Sequence, residues 1–207
     1  LKTEGVALEF GQDAVDANSG EARFLYQLGR ALEDQFQWDT ARASYEAAGN
    51  AGYAIAYTAL GDMAGRGYGM TADLTVAQAY YEKAAEAGEP IGSTTLGKVL
   101  WNSGDPGDRD RAETLWARAA ESGYPLAQER LAWVAELGRD GNPADLTEAF
   151  YRYAVAVQLA EEHGDLEAAA TARYRRATLA RSLPPDVVAA EWRRAESFTY
   201  TRPGDKG

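Results

Sequence analysis

The part of this chain that looks most like a ligand-binding loop is the glycine-rich sequence Gly65-Arg66-Gly67-Tyr68-Gly69. Glycine-rich loops cradle phosphates when they join a strand to a helix, and a phosphate loop of the common type also carries a Lys-Ser/Thr pair. Here the loop follows a helical pattern and no such pair comes after it. The glycines are instead expected to supply positive φ angles in a turn between two helices. We therefore predict no nucleotide site and no cofactor.

The one histidine, His163, and the carboxylates are the other groups that could do chemistry. A metal site or a nucleophilic triad would need further ligands or a serine held beside the imidazole. Because Gly164 follows it, His163 is better explained as a cation at the end of a helix. Pairs of carboxylates can hydrolyse glycosidic bonds, but the acids here occupy polar positions of nearly every predicted helix. We predict no catalytic residue, no metal site and no enzyme activity.

Composition and charge narrow the possible partners. The net charge is −11, from 21 basic and 32 acidic residues, which argues against nucleic acid or an anionic membrane as the main partner. With 45% hydrophobic residues a substantial core can form, and no apolar run is long enough to span a membrane. The chain has no cysteine, so disulfides are excluded. It begins Leu-Lys-Thr, and we expect it to be an excised or mature part of a longer protein.

A helical hairpin recurs along the chain and must position any functional side chains. Leu60-Gly61 returns as Leu96-Gly97, 36 residues later. In the following helix the offset is 35: Asp73, Ala77 and Tyr81 return as Asp108, Ala112 and Trp116. A helical hairpin cannot bury its apolar face alone, so such repeats must stack on one another. Asp39 and Asp73 are each expected at the start of a helix, where a carboxylate accepts hydrogen bonds from free backbone N–H groups, and Asp108 and Asp145 stand at the position of Asp73 in the next two repeats.

The pattern predicts one domain with repeats in its middle. The predicted segments are an N-terminal segment or short helix at 1–20, about four repeats at 21–163 (21–52, 53–88, 89–123 and 124–163), capping helices at 164–198 and a tail at 199–207.

Residues 54–88 resemble the Sel-one-like repeat family, relatives of the tetratricopeptide repeats. The matching motif runs from Ala56-x-x-x-Leu60-Gly61 through Gly67, Gly69 and Asp73 to Tyr80-Tyr81, Ala84-Ala85 and Gly88. The resemblance implies an all-α, right-handed α/α superhelix (solenoid) of helix-turn-helix repeats, serving as a non-catalytic protein–protein interaction scaffold. In bacteria such arrays often sit in the envelope or are secreted. Residues 23–30 are also similar to segments that follow caspase-like peptidase domains.

The resemblance further implies that the first helix of each repeat lines a concave groove. If Leu28, Leu60, Leu96 and Leu131 are equivalent core positions, residues two before and two after them face that groove. These candidates are Tyr26, Arg30, Thr58, Asp62, Thr94, Lys98, Glu129 and Trp133, and one turn further on Arg66, Trp101 and Asn102. Exposed aromatic residues and arginine often anchor interfaces. Trp101 and Trp133 could alternatively be core residues covered by the C-terminal helices.

Three functional hypotheses follow. The first is a scaffold, expected to be monomeric, that binds a peptide or protein segment in the groove. The second is an accessory domain of a longer bacterial peptidase. The third is a binder of carbohydrate or cell-wall fragments, suggested by tryptophan and tyrosine mixed with carboxylates. The identity of the partner and the cellular compartment stay open.

Overall fold

The computed structural model describes residues 19–139 and 143–200, and ten α-helices lie in these ranges. They are α1 (Ser19–Glu33), α2 (Trp38–Asn50), α3 (Ile55–Arg66), α4 (Leu74–Glu86), α5 (Pro90–Asn102), α6 (Pro106–Glu121), α7 (Pro125–Leu137), α8 (Leu146–Glu162), α9 (Leu166–Leu179) and α10 (Pro185–Glu196). The predicted all-α fold of helical repeats is confirmed. The possible short helix before residue 19 lies outside the described residues.

The described chain forms two compact units, one ending at Val99 and one beginning at Leu100. In the N-terminal unit α1 packs on α2, α2 on α3, and α3 on α4. In the C-terminal unit α6 packs on α7 and α7 on α8, while α9 and α10 both pack on α8. Helix α5 contributes its first ten residues to one unit and its last three to the other. The single domain and its repeat boundaries stay predictions.

Close contact between a glycine and a tyrosine ring joins the two helices within each hairpin of the N-terminal unit. A Cβ atom built on Gly29 would lie 2.6 Å from the ring of Tyr45, and one on Gly61 would lie 2.5 Å from the ring of Tyr81. Only glycine allows the rings this close. Both tyrosine side chains are buried, as the repeat pattern predicts.

The predicted core leucines are not all equivalent. Leu60 and Leu96 are buried, but Leu28 and Leu131 are only half-buried and pack against the edge of their clusters. In α1 the core positions on either side of Leu28 are Leu25 and Leu32. In α1 and α7 the leucine at the repeat position is therefore less buried than the sequence pattern predicts.

The glycine-rich sequence after α3 is a turn, which confirms the prediction. Gly67 has φ +76°, and the N–H of Tyr68 donates to the carbonyl oxygen of Met63 at 2.9 Å. The Asp73 carboxylate then accepts from the N–H groups of Thr75 and Val76 at 2.8 and 3.1 Å and starts α4. The backbone N–H groups of Tyr68, Thr75 and Val76 therefore find hydrogen-bond acceptors within this segment.

Two predicted helix starts need correction and a third is confirmed. Asp145 accepts from the N–H of Glu148 and starts α8 as predicted. Asp39 does not start α2, because the helix begins at Trp38 and the Asp39 carboxylate pairs with Arg42 within the first turn. Asp108 lies inside α6, since Pro106 starts that helix earlier and Asp105 accepts the free N–H groups.

The two helices predicted at 164–198 are present as α9 and α10. Ala169 and Ala172 of α9 and Ala195 of α10 are buried, and Trp192 packs against the buried side chains of α8. His163 directly follows α8, and its N–H donates to the carbonyl oxygen of Leu159 at 2.9 Å. The expected position of His163 at a helix end is confirmed.

Candidate functional site

Five of the predicted groove residues line one cavity of about 250 Å³ in the N-terminal unit, which we call the N-terminal pocket. Its walls come from α1, α2, α3 and α5. The predicted residues are Tyr26, Arg30, Thr58, Asp62 and Arg66. Sequence reasoning missed the other five, which are Glu33, Tyr45, Ile55, Ala59 and Ile91.

A helical spacing explains which residues reach the N-terminal pocket. On α3 the spacing of Ile55, Ala59, Asp62 and Arg66 is four, three and four residues, so their side chains share one face. The same spacing on α1 relates residues 26, 30 and 33. The sequence prediction selected the residues two positions before and two positions after each leucine. The helix face that lines the pocket instead includes Ala59, the residue directly before Leu60. This periodicity was a signal in the sequence that could have identified Ile55, Ala59 and Glu33.

Tyrosine hydroxyl groups hold the carboxylates of the N-terminal pocket. The Tyr45 hydroxyl donates to Glu33 Oε2 at 2.7 Å, and the Tyr81 hydroxyl donates to Asp62 Oδ1 at 2.7 Å. Burial raises the pKa of both phenols far above the ordinary value, and the adjacent carboxylate raises it further. The phenols therefore stay protonated as donors, and both carboxylates have a fixed partner.

The two arginines of the N-terminal pocket are exposed. Within residues 19–139 and 143–200, neither Arg30 nor Arg66 forms an ion pair. A hydrogen bond with Tyr68 raises the pKa of Arg66, and the nearby charge of Asp62 adds to the effect. The Arg66 guanidinium carbon also lies 5.9 Å from the centroid of the Tyr68 ring. Both guanidinium groups carry several N–H donors at the surface.

Two of the four residues that lie two positions before the leucines, Thr58 and Thr94, are buried, which corrects the expectation that they face an open groove. The Thr58 hydroxyl donates to Glu89 Oε2 at 2.7 Å, and the Thr94 hydroxyl donates to the carbonyl oxygen of Pro90 at 2.7 Å. Glu89 also accepts from the backbone N–H groups at the start of α5. Thr58 therefore lies in the pocket wall, and its hydroxyl stabilises the start of α5 through Glu89. Further along α5, Lys98 and Asn102 are exposed.

The predicted aromatic residues of the C-terminal unit pack against one another. The ring of Trp101 lies 5.5 Å from that of Trp116 and 5.3 Å from that of Trp133, measured between centroids. The guanidinium carbons of Arg109 and Arg139 lie 5.5 and 5.9 Å from the Trp101 ring. Trp101 and Trp133 are therefore half-covered, by residues of α6 and α7 and by Arg139 directly after α7.

Glu129, the remaining candidate, is half-buried on α7. Burial raises the pKa of its carboxyl, and the charges of Arg130 and Arg175 partly oppose this. The structure does not bring Glu129 into either cavity described here.

The C-terminal unit has a larger cavity of about 430 Å³, lined by residues that were not predicted. Its lining includes Asp110, Glu113, Arg139 and Asp145. The Arg139 guanidinium forms ion pairs with both Asp110 and Glu113. The Arg139 guanidinium is thus already paired with acids of the same cavity. Among the described residues, no three histidine or acidic side chains are grouped in a way that could hold a metal ion.

A comparison with protein families assigns the repeats. The Sel1 repeat model matches residues 5–34, 54–89, 96–124 and 125–151, which together exceed half of the chain. The chain belongs to the Sel1 repeat family. The first match, residues 5–34, starts before the predicted repeat 21–52, and the predicted repeat boundaries stay predictions. Sel1 repeat proteins are generally non-catalytic and mediate protein interactions.

A solved structure with a similar fold is also a Sel1 repeat protein. A Sel1 repeat protein from Oxalobacter formigenes has a TM-score of 0.58 and 22% identity, covering 88% of this chain and 73% of that one. The protective antigen c5321 of uropathogenic Escherichia coli, which displays an SLR fold, has a TM-score of 0.46 and 16% identity, covering 97% of this chain and 53% of that one. The first likeness concerns the fold. No curated protein matches the chain.

In the parts of the chain that the structure describes, none of the helices combines the length and the hydropathy needed to cross a membrane. The similarity of residues 23–30 to segments following caspase-like peptidase domains stays a prediction.

Proposed function

We propose that this protein is a non-catalytic interaction scaffold whose N-terminal pocket binds a peptide or protein segment. One observation carries the proposal: residues predicted from two successive repeats, Tyr26 and Arg30 on α1 and Asp62 and Arg66 on α3, line the same cavity. The general role of Sel1 repeats in protein interactions supports it.

The size and lining of the N-terminal pocket suit part of a polypeptide. Small-molecule sites usually measure about 300–1,000 Å³, so a cavity of about 250 Å³ has room for one or two side chains. Its wall combines the aromatic ring of Tyr26 and the apolar Ile55 and Ile91 with two arginines. Tyrosine and arginine are the residue types enriched among those that dominate binding energy at protein interfaces.

Filling the cavity tests the proposal. Peptides selected from a random display library on the wild-type protein should bind the Ala59→Trp variant at least about tenfold more weakly, a loss of about 1.4 kcal/mol. Ala59 lines the pocket and is half-buried, so a large ring there occupies the space a ligand would take. The matched control is Ala79→Trp, since Ala79 is exposed on α4 and does not line the pocket.

Two results would contradict the proposal. One is a selection that yields no saturable peptide, and the other is equal affinity for wild type, Ala59→Trp and Ala79→Trp. The hypotheses of a glycan binder and of a peptidase accessory domain lack a comparable observation. The Trp101 ring, which a sugar would need for stacking, already contacts Trp116 and Trp133.

A further inference from the structure

The acidic groups of the N-terminal pocket are held by tyrosine hydroxyls, whereas its arginines form no ion pair among the described residues. Glu33 and Asp62 each accept a hydrogen bond of 2.7 Å from a buried tyrosine hydroxyl. Arg30 lies three residues before Glu33, and Arg66 lies four residues after Asp62, so each arginine could reach its acid on the same helix. Neither pair forms an ion pair in the described residues. The tyrosines thus hold the carboxylates, and the guanidinium groups keep N–H donors that no carboxylate of the described residues occupies; Arg66 in addition contacts Tyr68.

This arrangement occurs in two successive hairpins. Each hairpin contributes an acid from its first helix, a tyrosine from its second helix that binds the acid, and an arginine on the pocket wall. In the C-terminal unit, by contrast, Arg139 is neutralised by Asp110 and Glu113. Of the two cavities described above, only the N-terminal pocket is lined by arginines that form no ion pair among the described residues.

We propose that the N-terminal pocket binds a carboxylate of the partner segment through Arg30 and Arg66. This inference rests on the proposed function and adds the chemistry of the ligand. A guanidinium group can donate two parallel N–H···O bonds to a carboxylate, and charge-assisted bonds of this kind are stronger than neutral ones. The net charge of −11 does not prevent this, since separated charges are screened beyond about 8 Å at physiological salt. The carboxylate comes from an acidic side chain or from the C-terminus of the partner.

Small model compounds separate these two sources. N-acetyl-glutamate amide carries only a side-chain carboxylate, N-acetyl-alanine carries only a chain-terminal one, and N-acetyl-glutamine amide carries neither. The Nε–Hε NMR signals of Arg30 and Arg66 should shift saturably with at least one of the two carboxylates. The expected dissociation constant is of the order of a few millimolar, as for a single short contact. The compound that shifts both signals identifies the source, and the uncharged amide should leave them unchanged.

Charge variants complete the test. In the Arg30→Gln/Arg66→Gln variant, the shift of the Ala59 amide on adding the carboxylate should be lost. It should persist in Arg23→Gln, which removes an exposed arginine of α1 that does not line the pocket. Equal shifts with the uncharged amide, or no saturable shift with either carboxylate up to about 50 mM, would overturn the inference. Library peptides that bind without any carboxylate would overturn it as well, while leaving the proposed function intact.

Discussion

The N-terminal pocket and the tryptophan cluster of the C-terminal unit use corresponding positions of the repeat in opposite ways. One such position lies four residues after Gly29 in α1, after Gly97 in α5 and after Ala132 in α7. It holds Glu33, Trp101 and Glu136, respectively. Glu33 and Glu136 each accept a hydrogen bond from the tyrosine of a following helix. Trp101 instead contacts Trp116, which replaces that tyrosine.

This difference shows how one scaffold can leave a cavity open or fill it. In α1 the Glu33 carboxylate occupies little space and accepts from the Tyr45 hydroxyl, and Arg30 forms no ion pair among the described residues, whereas Glu136 of α7 also pairs with Arg175 at 3.6 Å. An indole at the same position fills the space, and Arg109 and Arg139 cover its ring. This difference supports the proposed binding in the N-terminal pocket, whereas the rings of the tryptophan cluster pack against one another.

The largest expected effect is on the tryptophan cluster. Trp101→Ala should lower the free energy of unfolding by about 2–4 kcal/mol, because the ring contacts both Trp116 and Trp133 and truncation leaves a cavity. Urea unfolding measures the change. Asn102→Ala, at the exposed neighbouring position, is the control and should stay within about 0.5 kcal/mol of wild type. Equal stability of the two variants would show that Trp101 does not pack as described.

A smaller effect is expected at the close contact of the second hairpin. Gly61→Ala should destabilise the protein by about 1–3 kcal/mol, because the new Cβ atom would lie 2.5 Å from the buried Tyr81 ring. Gly65→Ala on the same helix should be neutral or stabilising, since its Cβ would meet only Ala77 at 3.5 Å and alanine favours helices. If thermal unfolding gave both variants the same midpoint, the close packing of Gly61 on Tyr81 would be wrong.

The smallest effect on stability, of about 1 kcal/mol, is expected for Tyr81→Phe. The change removes the hydroxyl that holds Asp62 and leaves the carboxylate free to pair with Arg66 one turn away. Carboxylate binding in the N-terminal pocket should therefore weaken although no pocket residue changes. Tyr80→Phe is the control, because the Tyr80 hydroxyl makes only a long contact of 3.5 Å with Glu46. Unchanged affinity in the Tyr81→Phe variant would show that the tyrosine does not keep Arg66 free.

The sequence predicts the repeats and part of the pocket, for identifiable reasons. The turn at Gly67 and the start of α4 at Asp73 are local features, since positive φ and helix capping depend on a few neighbouring residues. Tyr26 and Arg30 follow from helical periodicity. The burial of Thr58 was not predictable, because its partner Glu89 is 31 residues away and becomes a neighbour only when α5 packs in place. The partial burial of Trp101 was likewise not predictable, because its contact Trp133 is 32 residues further along the chain.

The most direct test of the central claim is a map of backbone amide NMR shifts during titration with a peptide selected on the wild-type protein. If the N-terminal pocket binds the peptide, the largest shifts should fall at residues 26–33 and 55–66, which form its two main walls. Shifts around Trp101 and Trp133 should be small. Shifts centred on that tryptophan cluster, with residues 26–33 unaffected, would contradict the account.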